Sequence, residues 1–298
     1  MAKMLFVFLL ASVVIVSGCT LPGQQVLYEN DIVIIRDLQA VPSTITPQQS
    51  VRVIATVQNK GNKPIDNVFV DLFDHCEGLF PKNQISNVNC GGGDAVTGTQ
   101  CSIKLEAQET KQVSWQLKPK EDIKLKTICP QDGMKVSVKY PETTTSITTV
   151  SFISRAEQDR QLQAGTLAPV DSYIAAGEGP IKPFLSVEDS QPIPTDSGST
   201  PVSLQVKNLG GGFLADNTEI VIEKIDFGDL QIDGSVQCHE VMKGADKLVP
   251  LIQKESSKFF CSIIPPQTET QTTRTITTEI SYIYEFRSSV KVTVEPKF

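Results

Sequence analysis

An alternating stretch at residues 51–61 reads Val-Arg-Val-Ile-Ala-Thr-Val-Gln-Asn-Lys-Gly. Its small apolar residues Val51, Val53, Ala55 and Val57 occupy every second position. A period of two predicts a β-strand with one buried face. The closing Asn-Lys-Gly predicts a turn, because these residues accept backbone angles that others avoid.

The same pattern recurs in the second half of the chain. Residues 57–61 match residues 206–210 at an offset of 149 positions. Further along, Val136, Val138 and Tyr140 match Ile280, Tyr282 and Tyr284 at an offset of 144. The chain is therefore predicted to contain two copies of one β-rich unit.

The remaining strand and turn signals favour an all-β protein. A turn is expected at Pro141-Glu142, with a returning strand over residues 147–153, and a second turn at residues 287–289. Short, strictly alternating runs favour antiparallel sheets over a parallel α/β sheet. We therefore predict two tandem immunoglobulin-like antiparallel β-sandwiches.

The repeat and the N-terminal sequence together divide the chain into five predicted segments. They are a signal peptide at 1–18, a lipid-anchored tether at 19–27, sandwich 1 at 28–153, a linker at 154–181 and sandwich 2 at 182–298. Ser154 and Glu157 form a capping-box pattern, which predicts a short helix ending near Gly165. Glycines and prolines then predict a linker, although the helix could instead pack on a sandwich and fix the domain angle.

The first nineteen residues predict export. Lys3 precedes an apolar run from Leu5 to Ser17, as in a secretory signal. The run is shorter than the roughly 20 residues that a spanning helix needs. The order Ser17-Gly18-Cys19 resembles the lipobox of prokaryotic lipoproteins, and this resemblance implies cleavage before Cys19 and a lipid on its thiol. An uncut membrane anchor and an ordinary cleaved signal are the alternatives.

The net charge of the chain argues against one class of binding partner, nucleic acid. The formal net charge is −7, whereas nucleic-acid binding needs a basic surface. We therefore expect no nucleic-acid partner, and we expect the membrane to be reached through the N-terminal lipid.

Six cysteines follow Cys19, four in the first half and two in the second. Even counts in an exported chain predict disulfides. Spacing alone leaves three connectivities open in the first half. Zinc is the alternative, since His75 adjoins Cys76 and His239 adjoins Cys238, but the tight cysteine pairs of zinc sites are missing.

The repeat suggests one connectivity. Val88-Asn89-Cys90 matches Val236-Gln237-Cys238, and Cys101-Ser102-Ile103 matches Cys261-Ser262-Ile263. These matches predict the bonds Cys90–Cys101 and Cys238–Cys261, with Cys76–Cys129 as an additional bond in the first half. The offset between the two copies is 160 positions at Cys101 and Cys261 but 144 at Tyr140 and Tyr284. The alignment therefore implies that the second copy lacks about 16 residues between these two points.

Motifs for catalysis are not found in the sequence, and neither a cofactor nor a bound metal is expected. Two loops are candidate binding surfaces: the glycines Gly91, Gly92 and Gly93 after Cys90, and the acidic residues Asp226, Asp229 and Asp233. Each has a plainer interpretation, a flexible disulfide loop for the first and a solvated loop for the second. Calcium at the acidic loop is an alternative, although its spacing does not match an EF-hand.

Two threonine-rich stretches, at residues 143–149 and 268–278, are expected to form the wet face of a sheet, with O-linked sugar or a flat ligand-binding face as alternatives.

The strand–Asn-x-Gly–strand pattern at Val51–Gly61 and Val202–Gly210 resembles the CARDB-type immunoglobulin-like domains of prokaryotic surface proteins. Both halves depart from that pattern by carrying cysteine-bearing loops. The resemblance implies adhesion or binding and no catalytic residues. We therefore expect a lipid-anchored protein on the cell surface or the periplasmic face, with a protein or glycan partner. A structural subunit of a larger envelope assembly, and a hydrolase or ligand-delivery lipoprotein, are the alternatives.

Overall fold

The structure is a computed structural model that describes residues 29–129, 133–215, 219–233 and 248–296. Within these ranges, ten strands precede the helix: β1 (Val33–Val41), β2 (Thr44–Ile45), β3 (Val51–Asn59), β4 (Ile65–Asp74), β5 (Ile85–Asn89), β6 (Asp94–Ala95), β7 (Gln100–Leu105), β8 (Thr110–Leu117), β9 (Thr127–Ile128) and β10 (Met134–Ile153). The helix α1 spans Arg155–Gln163, and a 3-10 turn spans Lys82–Gln84.

The described residues after the helix form eleven strands: β11 (Ile174–Ala176), β12 (Ile181–Val187), β13 (Ile193–Pro194), β14 (Thr200–Asn208), β15 (Phe213–Leu214), β16 (Ile220–Asp226), β17 (Gln231–Ile232), β18 (Leu248–Val249), β19 (Phe259–Ile264), β20 (Thr272–Val290) and β21 (Thr293–Val294). The predicted all-β, mainly antiparallel class is confirmed. No helix among the described residues is both long and apolar enough to cross a bilayer.

Two four-stranded sheets cover one long central sheet. The covering sheets have the orders β1-β3-β8-β5 and β12-β14-β19-β17. In the central sheet the described residues form ten strands: seven follow the order β18-β16-β20-β10-β4-β7-β6, β11 and β13 pair with β10, and β15 pairs with β20. A small third element, β2-β21-β9, joins the C-terminal strand to the first half. Both β1 and β12 contact β10 and β20, so one hydrophobic core runs through both halves.

The strands β10 and β20 hold the halves together. They pair antiparallel without interruption from Met134–Val290 to Phe152–Thr272. β4 extends the sheet beside the first part of β10, and β16 extends it beside the first part of β20. Each long strand therefore begins in the sheet of its own half and ends in the sheet of the other.

The predicted all-β sandwich architecture is confirmed, and the structure adds that the two halves share one central sheet through β10 and β20. Neither predicted turn exists, because β10 continues through Pro141-Glu142 and β20 continues through residues 287–289. The backbone of Pro141 faces away from β20, where its missing N–H costs no bond in the β10–β20 ladder. Residues 287–289 contain no glycine, proline or asparagine that would require a turn.

The segment predicted as a linker is partly folded onto the sheet. The Ser154 hydroxyl accepts a hydrogen bond from the Glu157 N–H at 3.2 Å, as the capping pattern predicts. The helix α1 ends before Gly165, which has φ +64°. After it, β11 pairs with β10, so this part of the segment is a sheet strand.

The structure corrects one of the repeat alignments. Val53 pairs with Trp115 in the first half, and its counterpart Val202 pairs with Cys261 in the second. β19 is therefore the counterpart of β8, and Cys261 stands where the first half has Trp115. Cys101 lies in β7, which pairs with β4 instead. Trp115 and Cys261 are 146 positions apart, close to the offset of 144 at the next match. The second half therefore does not lack the predicted 16 residues.

The first-half disulfides are nevertheless those expected. Cys76 joins Cys129 with a Cα–Cα distance of 5.8 Å, and Cys90 joins Cys101 at 5.4 Å. They close loops of 53 and 11 residues, for which chain-entropy estimates are about 4 and about 3 kcal/mol. Cys261 is disulfide-bonded, and its predicted partner Cys238 lies outside the described residues.

The shared sheet predicts that the two halves unfold together. Trp115 is the only tryptophan, so its fluorescence reports on the first half. Leu204→Ala, in the buried core of the second half, should destabilise the protein by about 2–5 kcal/mol. We expect the Trp115 transition in a urea titration to shift by the same free energy.

The exposed Ile252→Ala provides the control, and we expect it to leave the transition in place. A Trp115 transition unchanged by Leu204→Ala would mean that the halves unfold independently.

Candidate functional site

A continuous groove lies where the two halves meet. It comprises three connected hollows of about 730, 280 and 320 Å³. The first two share Lys63, Ile65, Glu142 and Thr143, and the last two share Ile32, Gly61, Gly177 and Glu178. We call this surface the junction groove.

The groove exists because the edge of β10 is open at its centre. The register between β4 and β10 ends at Lys139, and β11 joins β10 only at Ser146. Across the outer face of the sheet, the largest of these hollows has the start of β4 on one side. On the other side it has Val221 of β16 and Glu219, which directly precedes that strand. Both halves therefore contribute walls to one site.

The repeated Asn-x-Gly motif shapes this junction. Buried Asn59 accepts a hydrogen bond from the Gly61 N–H through Oδ1 at 2.9 Å and donates from Nδ2 to the Lys63 carbonyl at 2.8 Å. Asn208 makes the equivalent bonds, accepting from Gly210 N–H and donating to the Gly212 carbonyl, each at 2.9 Å. The motif therefore satisfies buried polar groups in the turns beside the groove, which is a structural role.

Asp31 connects the N-terminal segment to the second half. Its carboxylate oxygens both accept from the Gly211 N–H at 3.1 Å, and one accepts from the Tyr284 hydroxyl at 3.2 Å. The side chain is buried, and burial raises its pKa above the usual range. These bonds hold one wall of the groove against the opposite half.

Tyrosines form the centre of the shared sheet beneath the groove. Tyr140 and Tyr284 pair across β10 and β20, with their ring centroids 5.8 Å apart in an edge contact. The neighbouring Tyr282 hydroxyl lies 2.8 Å from the Thr144 hydroxyl and accepts from the Ile181 N–H at 3.3 Å. These bonds tie β12 to the centre of the long strands.

Glu142 is the carboxyl group of the groove whose pKa is raised into the neutral range. Burial, together with repulsion from Glu178, raises the pKa of its carboxyl to about 7. A hydrogen bond from the Thr143 N–H at 3.1 Å and the charge of Lys63 act in the opposite direction. The groove therefore contains a carboxyl group that changes charge near neutral pH.

The predicted glycine loop lies away from this groove, between β5 and β6. Gly91 and Gly92 have φ +62° and +91°, in the left-handed region. The Gly91 N–H donates to Asn89 Oδ1 at 3.0 Å, which makes a tight turn. This loop and the acidic loop belong to different halves, so the structure does not combine them in one site.

The predicted acidic loop is largely engaged in ion pairs. Asp226 lies 2.6 Å from Lys224 and accepts from the Gly228 N–H at 2.9 Å. Asp229 lies 2.9 Å from Arg274, and Asp233 is exposed. Within the described ranges, no group of three histidine, cysteine or acidic side chains could hold a metal ion.

The structure describes one of the two histidines that the sequence suggested as zinc ligands. His75 Nδ1 lies 2.7 Å from the Phe80 carbonyl, so this ring is engaged in the loop near the Cys76–Cys129 bond. His239 lies outside the described residues.

The threonine tracts are only partly exposed. Thr144, Thr148 and Thr278 are buried, whereas Thr143 and Thr275 are exposed on the outer face of the shared sheet. Where the tracts lie in β10 and β20, the buried threonines therefore alternate with more exposed residues, as the strand period requires.

Sequence reasoning missed the groove residues. Glu142, Glu178 and Lys63 come from three separate segments, and no motif links them. One weak signal existed, because Glu142 lies between Tyr140 and Thr144 on the buried side of the β10 alternation.

Comparison with protein-family models and with curated proteins found no match for this chain. The geometry of the groove is therefore the basis for a functional conclusion.

The raised pKa of Glu142 predicts a pH-dependent stability. Below its ordinary pKa of 4.5 the carboxyl is neutral in both states. Between about 4.5 and about 7 the folded protein keeps a proton that the unfolded chain has released, so stability falls as pH rises. Glu142→Gln should remove this loss, worth at most about 3 kcal/mol before solvent screening.

Urea titrations at pH 4 and pH 8 test this expectation. Glu142→Gln should gain stability over the natural chain at pH 8 and match it at pH 4, while the exposed control Glu77→Gln should show no such difference. An equal effect of Glu142→Gln at both pH values would contradict the assignment.

Proposed function

We propose that this protein is a lipid-anchored binding protein of the cell envelope that acts outside the cytoplasm and presents the junction groove to its partner. The observation that carries the proposal is the groove itself, which both halves line and the β10–β20 pairing holds rigid. Concave sites where two structural units meet are common binding sites.

The compartment is inferred from two features. The disulfides of the first half are typical of an oxidising environment outside the cytoplasm. The Ser17-Gly18-Cys19 sequence would supply a lipid on Cys19, and two or more acyl chains anchor a protein stably. The resemblance to CARDB-type surface lipoproteins supports binding rather than catalysis, with a protein or glycan partner.

A second candidate function is a structural subunit of an envelope assembly, and one surface favours it. The Arg287 guanidinium lies 4.9 Å from the Phe73 ring centroid and 4.5 Å from that of Phe213. Both rings are more than a third exposed. Arginine and aromatic side chains are enriched in protein interfaces, so this surface could pack against another subunit.

The anchor is tested at Cys19. Cys19→Ser should move the protein from the membrane fraction to the soluble fraction or leave the leader uncut, because a serine offers no thiol for the lipid. Mass spectrometry of the natural N-terminus should find a lipid-modified cysteine as the first residue. Ser17→Ala keeps a small residue before the cut and should behave like the natural chain.

A natural N-terminus at residue 20 or beyond, or an unmodified Cys19, would contradict the anchoring.

The binding surface is tested by photo-crosslinking in intact cells. A benzophenone side chain in place of Thr143, on the groove, should form a discrete covalent adduct. The same side chain in place of the exposed Glu77, in the turn that follows β4, should not. Adducts at neither position, or equal adducts at both, would contradict the groove as the binding surface.

A further inference from the structure

The open edge of β10 presents one backbone carbonyl, that of Thr143, to the junction groove. The Gly177 N–H donates to the Thr145 carbonyl at 2.7 Å, and the Thr149 N–H donates to the Tyr173 carbonyl at 3.0 Å. Odd-numbered residues of this part of β10 therefore direct their backbone groups away from β20. Thr143 is also odd-numbered, so its carbonyl points to the gap between β4 and β11.

The gap has the dimensions of a short strand. Six residues of β10, 140–145, separate the last pair with β4 from the first pair with β11. At about 3.3 Å per residue this edge is roughly 20 Å long. The Thr143 carbonyl has no hydrogen-bond partner among the residues that the structure describes, whereas the Thr143 N–H is occupied by Glu142 Oε1.

The charges around the gap favour a cation. The carboxyl groups of Glu142 and Glu178 both line the hollow beside the open edge, and among the described residues Lys63 is the one cationic residue lining that same hollow. Glu178 also accepts from the Asn62 N–H at 3.2 Å, which holds it in place. A positively charged side chain placed between the two carboxylates would balance the excess negative charge.

We propose that the junction groove binds an extended polypeptide segment of a partner protein, with a backbone N–H donating to the Thr143 carbonyl and a lysine or arginine side chain between Glu142 and Glu178. This inference rests on the proposed function and names the class of ligand for the same groove. Strand addition at an open sheet edge derives its affinity from backbone hydrogen bonds and its specificity from side-chain pockets.

The floor of the groove fits a peptide better than a sugar. Beside the open edge it contains the apolar side chains of Pro141, Val221 and Ile283, and Ile283 is 41 % exposed. An extended segment alternates its side chains between two sides. One side chain can therefore contact this apolar floor while the next enters the acidic hollow.

Binding should depend on pH through Glu142. The charged and titratable groups that act on this carboxyl from neighbouring elements are Lys63, Glu178, Tyr140 and Tyr282. A bound cation favours the ionised carboxylate, so the peptide should displace the proton near pH 7. Affinity should therefore rise as the pH rises from 6 to 8.

The experiment selects ligands from a random heptapeptide library on the mature full-length protein. We expect selected peptides to carry lysine or arginine at one fixed position. For a selected peptide, Glu142→Gln should weaken binding about tenfold, which corresponds to about 1.4 kcal/mol, and should abolish the pH dependence. Glu77→Gln should change neither. Methylating the peptide nitrogen that faces Thr143 should also weaken binding.

Three outcomes would overturn the inference: selected peptides without a common basic residue, binding unchanged by Glu142→Gln, or no selected peptide at all. The crosslinking result at Thr143 then separates the two proposals. An adduct without basic-peptide binding leaves the groove as a binding surface for another ligand class, whereas no adduct and no peptide rejects both proposals.

Discussion

The pairing of β10 with β20 is the constraint on which the rest of the structure depends. Its uninterrupted register places Tyr140 opposite Tyr284 at the centre of the molecule. Each strand continues past that point into the sheet of the other half, so each sandwich is completed by a strand from its neighbour. This exchange brings the two covering sheets together over one central sheet. It also sets the position of the groove and brings Asp31 within hydrogen-bond distance of the second half.

The exchange also explains why a groove forms where it does. A strand long enough to serve two sandwiches must leave its first partner before it meets its second. On β10, β4 ends before β11 begins, and the interval coincides with Pro141 and Glu142. The Asn59 and Asn208 turns then close the ends of the covering sheets around this interval without leaving buried polar groups unpaired.

Local features of the fold were predictable from the sequence. The alternation at Val51–Val57, the Ser154 cap and the all-β class depend on residues close together in the chain. The shared sheet was not predictable, because the alternation of residues 134–153 fits a hairpin and a single long strand equally well. Proline at 141 favoured the hairpin, and only its position on an open edge makes the long strand compatible with it.

The disulfides show that a correct pairing can come from a partly incorrect alignment. Cys101 and Cys261 share the sequence Cys-Ser-Ile, yet they lie in strands with different partners. The pairing in the first half was nevertheless as expected, because Cys90 and Cys101 are close in the chain and the remaining two cysteines then have only each other. The groove offered no comparable signal, since its charged residues meet only after long-range pairing.

The attachment of Asp31 to Gly211 and Tyr284 has a mechanical consequence. The described chain starts at Glu29 on the wall of the groove, two residues before this attachment. With a lipid on Cys19, nine residues would lie between the lipid-bearing cysteine and Glu29, a reach of at most about 35 Å. Tension from the membrane would then enter the molecule where the two halves meet, and the bonds of Asp31 to Gly211 and Tyr284 would pass it directly to the second half.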